Sequence, residues 1–139
     1  DSPGKAKMNF NDSGKFESSF LSVDILPNHS IMLSTLVGYK LGIWVAHGEG
    51  KFILPESEEY YHIPVKYSND QYPGNPNGSD YSTAAICSDD GRHLAIMPHL
   101  ERSFLPFQCG YYPRERKEDQ VTPWIKAFVN AREWISEKI

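Results

Sequence analysis

Residues 83–97, TAAICSDDGRHLAIM, place two short apolar runs on either side of an Asp90-Gly91 turn. Gly at that point tolerates a positive φ, so the segment predicts a β-hairpin, with strands over 84–87 and 93–97. The hairpin also constrains the residues after it. Pro98 biases Met97 toward extended geometry and cannot donate to a ladder, so the second strand ends there and His99 and Glu101 emerge just past a sheet rim. In extended backbone, residues i and i+2 share a face, which brings the Glu101 carboxylate toward the His99 imidazole.

The rest of the chain reads as further strands and one helix. FESSFLSVDIL, from Phe16, alternates with Leu21, Val23 and Ile25 on one side and predicts a half-buried strand ending at Pro27. Ser30 is placed to cap a short helix carrying Ile31, Leu33 and Leu36 to a stop at Gly38. Leu41 to Ala46 is a largely apolar run leading into His47-Gly48-Glu49-Gly50, the pattern of a central strand delivering a loop. A helical turn and a strand over 63–67 come next. Residues 69–82 are dense in Asn, Pro and Gly, too polar for a core, and predict a long loop. Near the C-terminus Thr122 is expected as cap and Pro123 as first helical residue, with Trp124, Phe128, Ala131 and Ile135 along the buried face of an amphipathic helix. Residues 1–15, poor in apolar positions, are expected to be a flexible surface segment or linker.

With 139 residues, 40% of them hydrophobic, the chain suffices for one core and is too short for two ordinary domains. Fourteen Lys and Arg stand among eighteen acids, for a formal net charge of -4, so no basic stripe exists to neutralise a nucleic-acid backbone. No apolar run approaches the roughly 18 residues of a membrane span, and DSPGKAKMNF lacks a signal-peptide apolar region. The expectation is a soluble, cytoplasmic chain with neither nucleic acid nor membrane as partner. Cys87 and Cys109 form no CxxC pair, which argues against a disulfide scaffold or a cysteine zinc site. The first residue is Asp1, compatible with a processed chain or a piece of something longer.

A carboxylate on one imidazole nitrogen fixes the tautomer, stabilises the imidazolium and leaves the other nitrogen free to take a proton from a nucleophile. His99 and Glu101 have that relation, with a thiol as the natural third member. The alternative is a histidine packed at a strand end and a glutamate paired in solvent. Cys109, followed by Gly110, is a second candidate thiol, but no strand-like run precedes it to build a nucleophile elbow. Cys87 falls inside a predicted strand. His47 and Glu49 form another polar pair at a strand end, with a substrate-side role or a plain glycine-shaped turn both open. His29, His62 and His93 lack companions at metal-ligand spacing, so no metal site is expected.

Four segments carry a resemblance: IMPHLERSF, WVAHGEGKF, QYPGNPNGS and WIKAFVNAREW. In order and spacing, from about Asn11 to Trp134, they resemble the C-terminal end of the phosphoribosylformylglycinamidine synthase family of class I glutamine amidotransferases. The resemblance implies an α/β fold with a mixed sheet flanked by helices, the C-terminal portion of a flavodoxin-like domain. It implies that 1–139 is a single incomplete domain, whose cysteine nucleophile would sit on a strand-to-helix elbow in an absent N-terminal half. His99 and Glu101 would complete the triad that hydrolyses glutamine, and His47 would lie on the substrate side. The ammonia would pass to a synthetase domain of the same polypeptide that amidates formylglycinamide ribonucleotide in purine synthesis. ATP and magnesium would belong to that domain, with no cofactor in this chain. Leu100, Ser19 and Lys51 depart from the family, which commonly has proline, arginine and arginine there. A non-catalytic interaction domain of the same fold is the competing expectation.

Overall fold

Alternation of apolar and polar residues builds the longest strand, and that strand organises the rest. The computed structural model describes residues 5–139. Its strands are β1 Lys7–Asn9, β2 Glu17–Ile25, β3 Lys40–His47, β4 Lys51–Ile53, β5 His62–Tyr67, β6 Thr83–Cys87 and β7 Leu94–Ile96, followed by the helix α1, Ile125–Lys138. A five-stranded sheet has the order β3-β2-β5-β6-β7, and β1 pairs with β4 in a small second ladder. Every strand pairing described is antiparallel. The β2–β3 register runs from Glu17 opposite His47 to Asp24 opposite Lys40. This puts Val23, Ile25, Ile43 and Val45 on one face, where they join Val65, Leu33, Leu36, Trp124 and Ala127 in the main core. No helix among the described residues is long and apolar enough to cross a membrane.

The hairpin forms as its turn chemistry dictates, with Ala85 opposite Ile96, Cys87 opposite Leu94 and Gly91 at φ +72°. β3 is not central, however: it is an edge strand of the described sheet. Its apolar run reflects burial by other means. Phe20 and Trp44 pack against each other on the face away from the core, ring centroids 5.1 Å apart and planes tilted by 59°. Along the open edge, the chain from His99 to Trp124 satisfies the backbone. The His99 N–H donates to the Trp44 carbonyl (2.8 Å), the Trp44 N–H to Ser103 Oγ (3.3 Å), and the Trp124 indole to the Gly42 carbonyl (2.9 Å).

Five other expectations are corrected. Ser30 caps no helix: its hydroxyl is buried without a partner, and the segment makes only a 3₁₀ turn over Ser34–Leu36, although Leu33 and Leu36 are buried and Gly38 takes φ +89°. Residues 5–15 are not a loose leader, because β1 pairs with β4 and Asn11 is buried; residues 1–4 lie outside the described part. The 69–82 segment is not excluded from the interior, since Asn75, Asn77 and Ser79 are buried within a hydrogen-bonded network. On α1, Phe128 and Ile135 are 39% and 52% exposed, and the buried face is Trp124, Ala127 and Asn130. Asn130 sets that rotation by donating to the Met32 carbonyl (2.9 Å) and Thr35 Oγ1 (2.6 Å). The Thr122 hydroxyl donates to the Ser103 carbonyl instead of capping the helix.

Candidate active site

Pro98 ends the hairpin, and His99 leaves it in extended conformation, φ −101° and ψ 97°. The chain then winds into a 3₁₀ turn over Leu100–Arg102, so the partnership with Glu101 is made by a tight turn and not by the extended backbone expected. Leu100 is 5% exposed and plugs that turn into the core. The Ser103 hydroxyl donates to the His99 carbonyl at 3.0 Å, so with the bond to Trp44 the His99 backbone is held at both its N–H and its C=O. Its Nδ1 lies 2.5 Å from Glu101 Oε1, and Nε2 is the nitrogen left unengaged by that acid. The imidazole is 27% exposed, accessible at the rim. Partial burial pushes the Glu101 carboxyl up. The His99 hydrogen bond, its own backbone N–H and the charges of His99 and Arg102 outweigh that, leaving it below the ordinary carboxylate range. An ionised acid fixing Nδ1–H, with Nε2 free, is the geometry of a general base.

His47 lies on β3 three residues beyond Trp44, whose carbonyl holds His99. It is 8% exposed, with both ring nitrogens buried and unpartnered. Burial lowers its pKa, outweighing its own backbone and Glu17, which raise it, while His99 lowers it, so the two histidines stand within electrostatic reach of each other. The ring packs beneath Gly50, where a Cβ would stand 2.6 Å from His47 Cγ, and only glycine fits. The ring therefore points inward, and the loop presents Glu49, which is exposed, at its tip.

A model of the CobB/CobQ-like glutamine amidotransferase domain matches residues 2–135. The chain belongs to that amidotransferase family. It is 45% identical over 139 residues to the probable phosphoribosylformylglycinamidine synthase, chloroplastic/mitochondrial, of Arabidopsis thaliana, which covers 90% of this chain and 10% of that protein. The phosphoribosylformylglycinamidine synthases of Dictyostelium discoideum and Homo sapiens are 42% and 40% identical, covering 88% and 94% of this chain and 10% and 11% of theirs. The chain thus spans about a tenth of the length of these curated relatives. The structure of PurLQS from Thermotoga maritima superposes with a TM-score of 0.70 at 24% identity, over 96% of this chain and 55% of that one. The fold is accordingly the α/β, flavodoxin-like fold of a glutamine amidotransferase domain, to which the described residues contribute an antiparallel portion of the sheet and the C-terminal helix.

Cys109, His62 and His29 each have hydrogen-bond partners other than the His99 ring. Cys109 comes after a 3₁₀ turn, Pro106–Gln108, with its Sγ facing the Leu105 and Ser103 carbonyls (3.7 and 3.9 Å), and burial pushes its thiol up. Cys87 is half-buried in β6 and is raised by burial and by Asp89. His62 pairs with Asp89 (2.9 Å) and His29 with the Ser88 carbonyl (3.0 Å). Among the described residues no group of three or more His, Cys, Asp or Glu is arranged to hold a metal ion. Lys51 pairs with Asp12 at 2.6 Å.

Sequence reasoning missed the residues that fasten the site. Ser103, fully buried, bonds both β3 and the His99 carbonyl. Asn11 and Asn77 bond the backbone of the His47–Gly50 loop. The available signal was the recurrence of carboxamides in segments otherwise read as surface.

Proposed function

We propose that this chain is the C-terminal portion of the glutaminase domain of a phosphoribosylformylglycinamidine synthase, a single incomplete domain whose cysteine nucleophile stands in the half that precedes it. The 2.5 Å His99–Glu101 contact at an accessible rim carries this reading. His99 Nε2 takes the proton from the cysteine thiol, and the thiolate adds to the side-chain amide carbon of glutamine. The imidazolium, stabilised by Glu101, returns the proton to the departing nitrogen and ammonia leaves. Water, deprotonated by the same nitrogen, then cleaves the thioester to give glutamate and restore the thiol. The ammonia goes to a synthetase region of the same polypeptide, which holds ATP and magnesium and amidates formylglycinamide ribonucleotide; this chain itself binds no cofactor. His47 and its loop form the glutamine side of the site. Two free cysteines suit a reducing compartment, the cytoplasm in this reading, although the Arabidopsis relative is named for chloroplast and mitochondrion. No observation favours a non-catalytic interaction domain.

The test is His99→Ala in the intact protein, assayed with glutamine and with ammonia as nitrogen source. Glutamine-dependent synthesis should fall by about 10²–10⁴-fold, the worth of a general base, while ammonia-fed synthesis is spared. Equal loss of both activities would overturn the assignment.

A further inference from the structure

Two carboxamides, from segments 66 positions apart in the chain, converge on the loop after β3. Asn11 Nδ2 donates to the His47 carbonyl (2.8 Å), its Oδ1 accepts the Gly50 N–H (3.1 Å), and its own N–H donates to the Gly48 carbonyl (2.9 Å). Asn77 takes the one remaining group of Gly50, donating from Nδ2 to its carbonyl at 2.6 Å. Its amide orientation is fixed, because Oδ1 accepts from the Ser79 N–H (3.0 Å) and Oγ (2.7 Å). Asn77 is completely buried and Asn11 is 3% exposed.

A turn with glycine at two of its four positions would sample many shapes unless held. Here Gly50 is held at both its N–H and its C=O, and the His47 ring is trapped beneath it. What stays outward is the Gly48–Glu49 tip, which follows the end of β3 at His47, itself about 10 Å along the strand from Trp44, the residue that anchors His99. We propose that Asn11 and Asn77 are positioning residues that hold this loop in the shape that receives glutamine. The inference rests on the glutaminase reading above and adds to it the device that sets the substrate side.

Asn77→Asp keeps the side chain's shape but replaces the donor with a carboxylate oxygen facing the Gly50 carbonyl. Asn11→Asp likewise loses the donor to His47 while keeping an acceptor for Gly50. In the intact protein, each should raise the KM for glutamine about tenfold or more with kcat within about threefold, as expected when binding common to ground and transition states is lost. Ammonia-fed synthesis should not change. A structural role alone would lower the folded fraction, seen as a fall in kcat at unchanged KM, and that outcome overturns the proposal, as does an unchanged KM and kcat. Thermal unfolding of both variants identifies any that does not fold, and Asn77→Ser then serves as the uncharged replacement. His99→Ala in the same assays separates the two claims. If it spares glutamine-dependent synthesis, the glutaminase reading fails; if it abolishes it while both asparagine variants keep the native KM, the reading stands and the positioning role falls.

Discussion

A buried imidazole with neither nitrogen paired resists protonation, and His47 is such a residue. Its native pKa lies below the ordinary value near 6.5, chiefly through burial. Proton uptake sets the sign of the effect on stability. As pH falls through about 6.5 the unfolded chain protonates at this position while the native state does not, so the unfolded state binds more protons and stability declines. The decline ends once pH passes the lowered native pKa, and above about 7.5 the residue contributes no pH dependence. His47→Phe should therefore flatten the stability profile between about pH 7.5 and 5.5 relative to the native protein, as followed by urea midpoints at fixed steps of pH. Identical slopes in the two proteins would show that the ring is hydrated or paired in solution. At this scale the site was half legible: His99, Glu101 and the strand-ending Pro98 stood out as an ordered pattern. The inward orientation of His47 did not, because it is imposed by Gly50 and by carboxamides far away in sequence.

Elements show the same division between local and remote causes. The β6–β7 hairpin is legible because an Asp-Gly turn and its flanking apolar runs are local chemistry. The apolar run of β3 suggests a central strand because it reports only that both faces are covered. The edge itself is closed by Ser103, Trp124 and the His99 backbone, and the two side-chain bonds reach across 59 and 82 positions, which no sequence window can see. Apolar periodicity picks the wrong face of α1 because it passes over Asn130, whose two hydrogen bonds to the 32–35 turn choose the rotation. Paired substitutions test that rotation. Ile135→Lys, on the exposed side, should change unfolding free energy by no more than about 0.5 kcal/mol. Ala127→Leu, with no accessible surface at the native residue, should cost about 1–3 kcal/mol through overpacking. The reverse ranking in chemical denaturation would restore the Phe128 and Ile135 face as the buried one.

For the molecule as a whole, the question is where the reacting sulfur comes from. The chain holds an imidazole whose Nδ1 is bound by a carboxylate, and it spans about a tenth of the length of the relatives it matches. If Cys109 were the nucleophile, the catalytic unit would be self-contained. The geometry weighs against this on two counts. Its Sγ is directed at the Leu105 and Ser103 carbonyls, acceptors that favour the protonated thiol, and burial raises its pKa in the same direction. A nucleophilic cysteine needs the opposite environment, an adjacent base or positive charge that stabilises the thiolate. Cys109→Ser in the intact protein should therefore leave glutamine-dependent synthesis within about twofold of native, whereas loss of a nucleophile costs orders of magnitude. The 139 residues expressed alone should release no ammonia from glutamine above a His99→Ala control. Glutamine hydrolysis by the isolated chain that disappears in Cys109→Ser would relocate the nucleophile to this half and make the base and the sulfur neighbours in a single short segment.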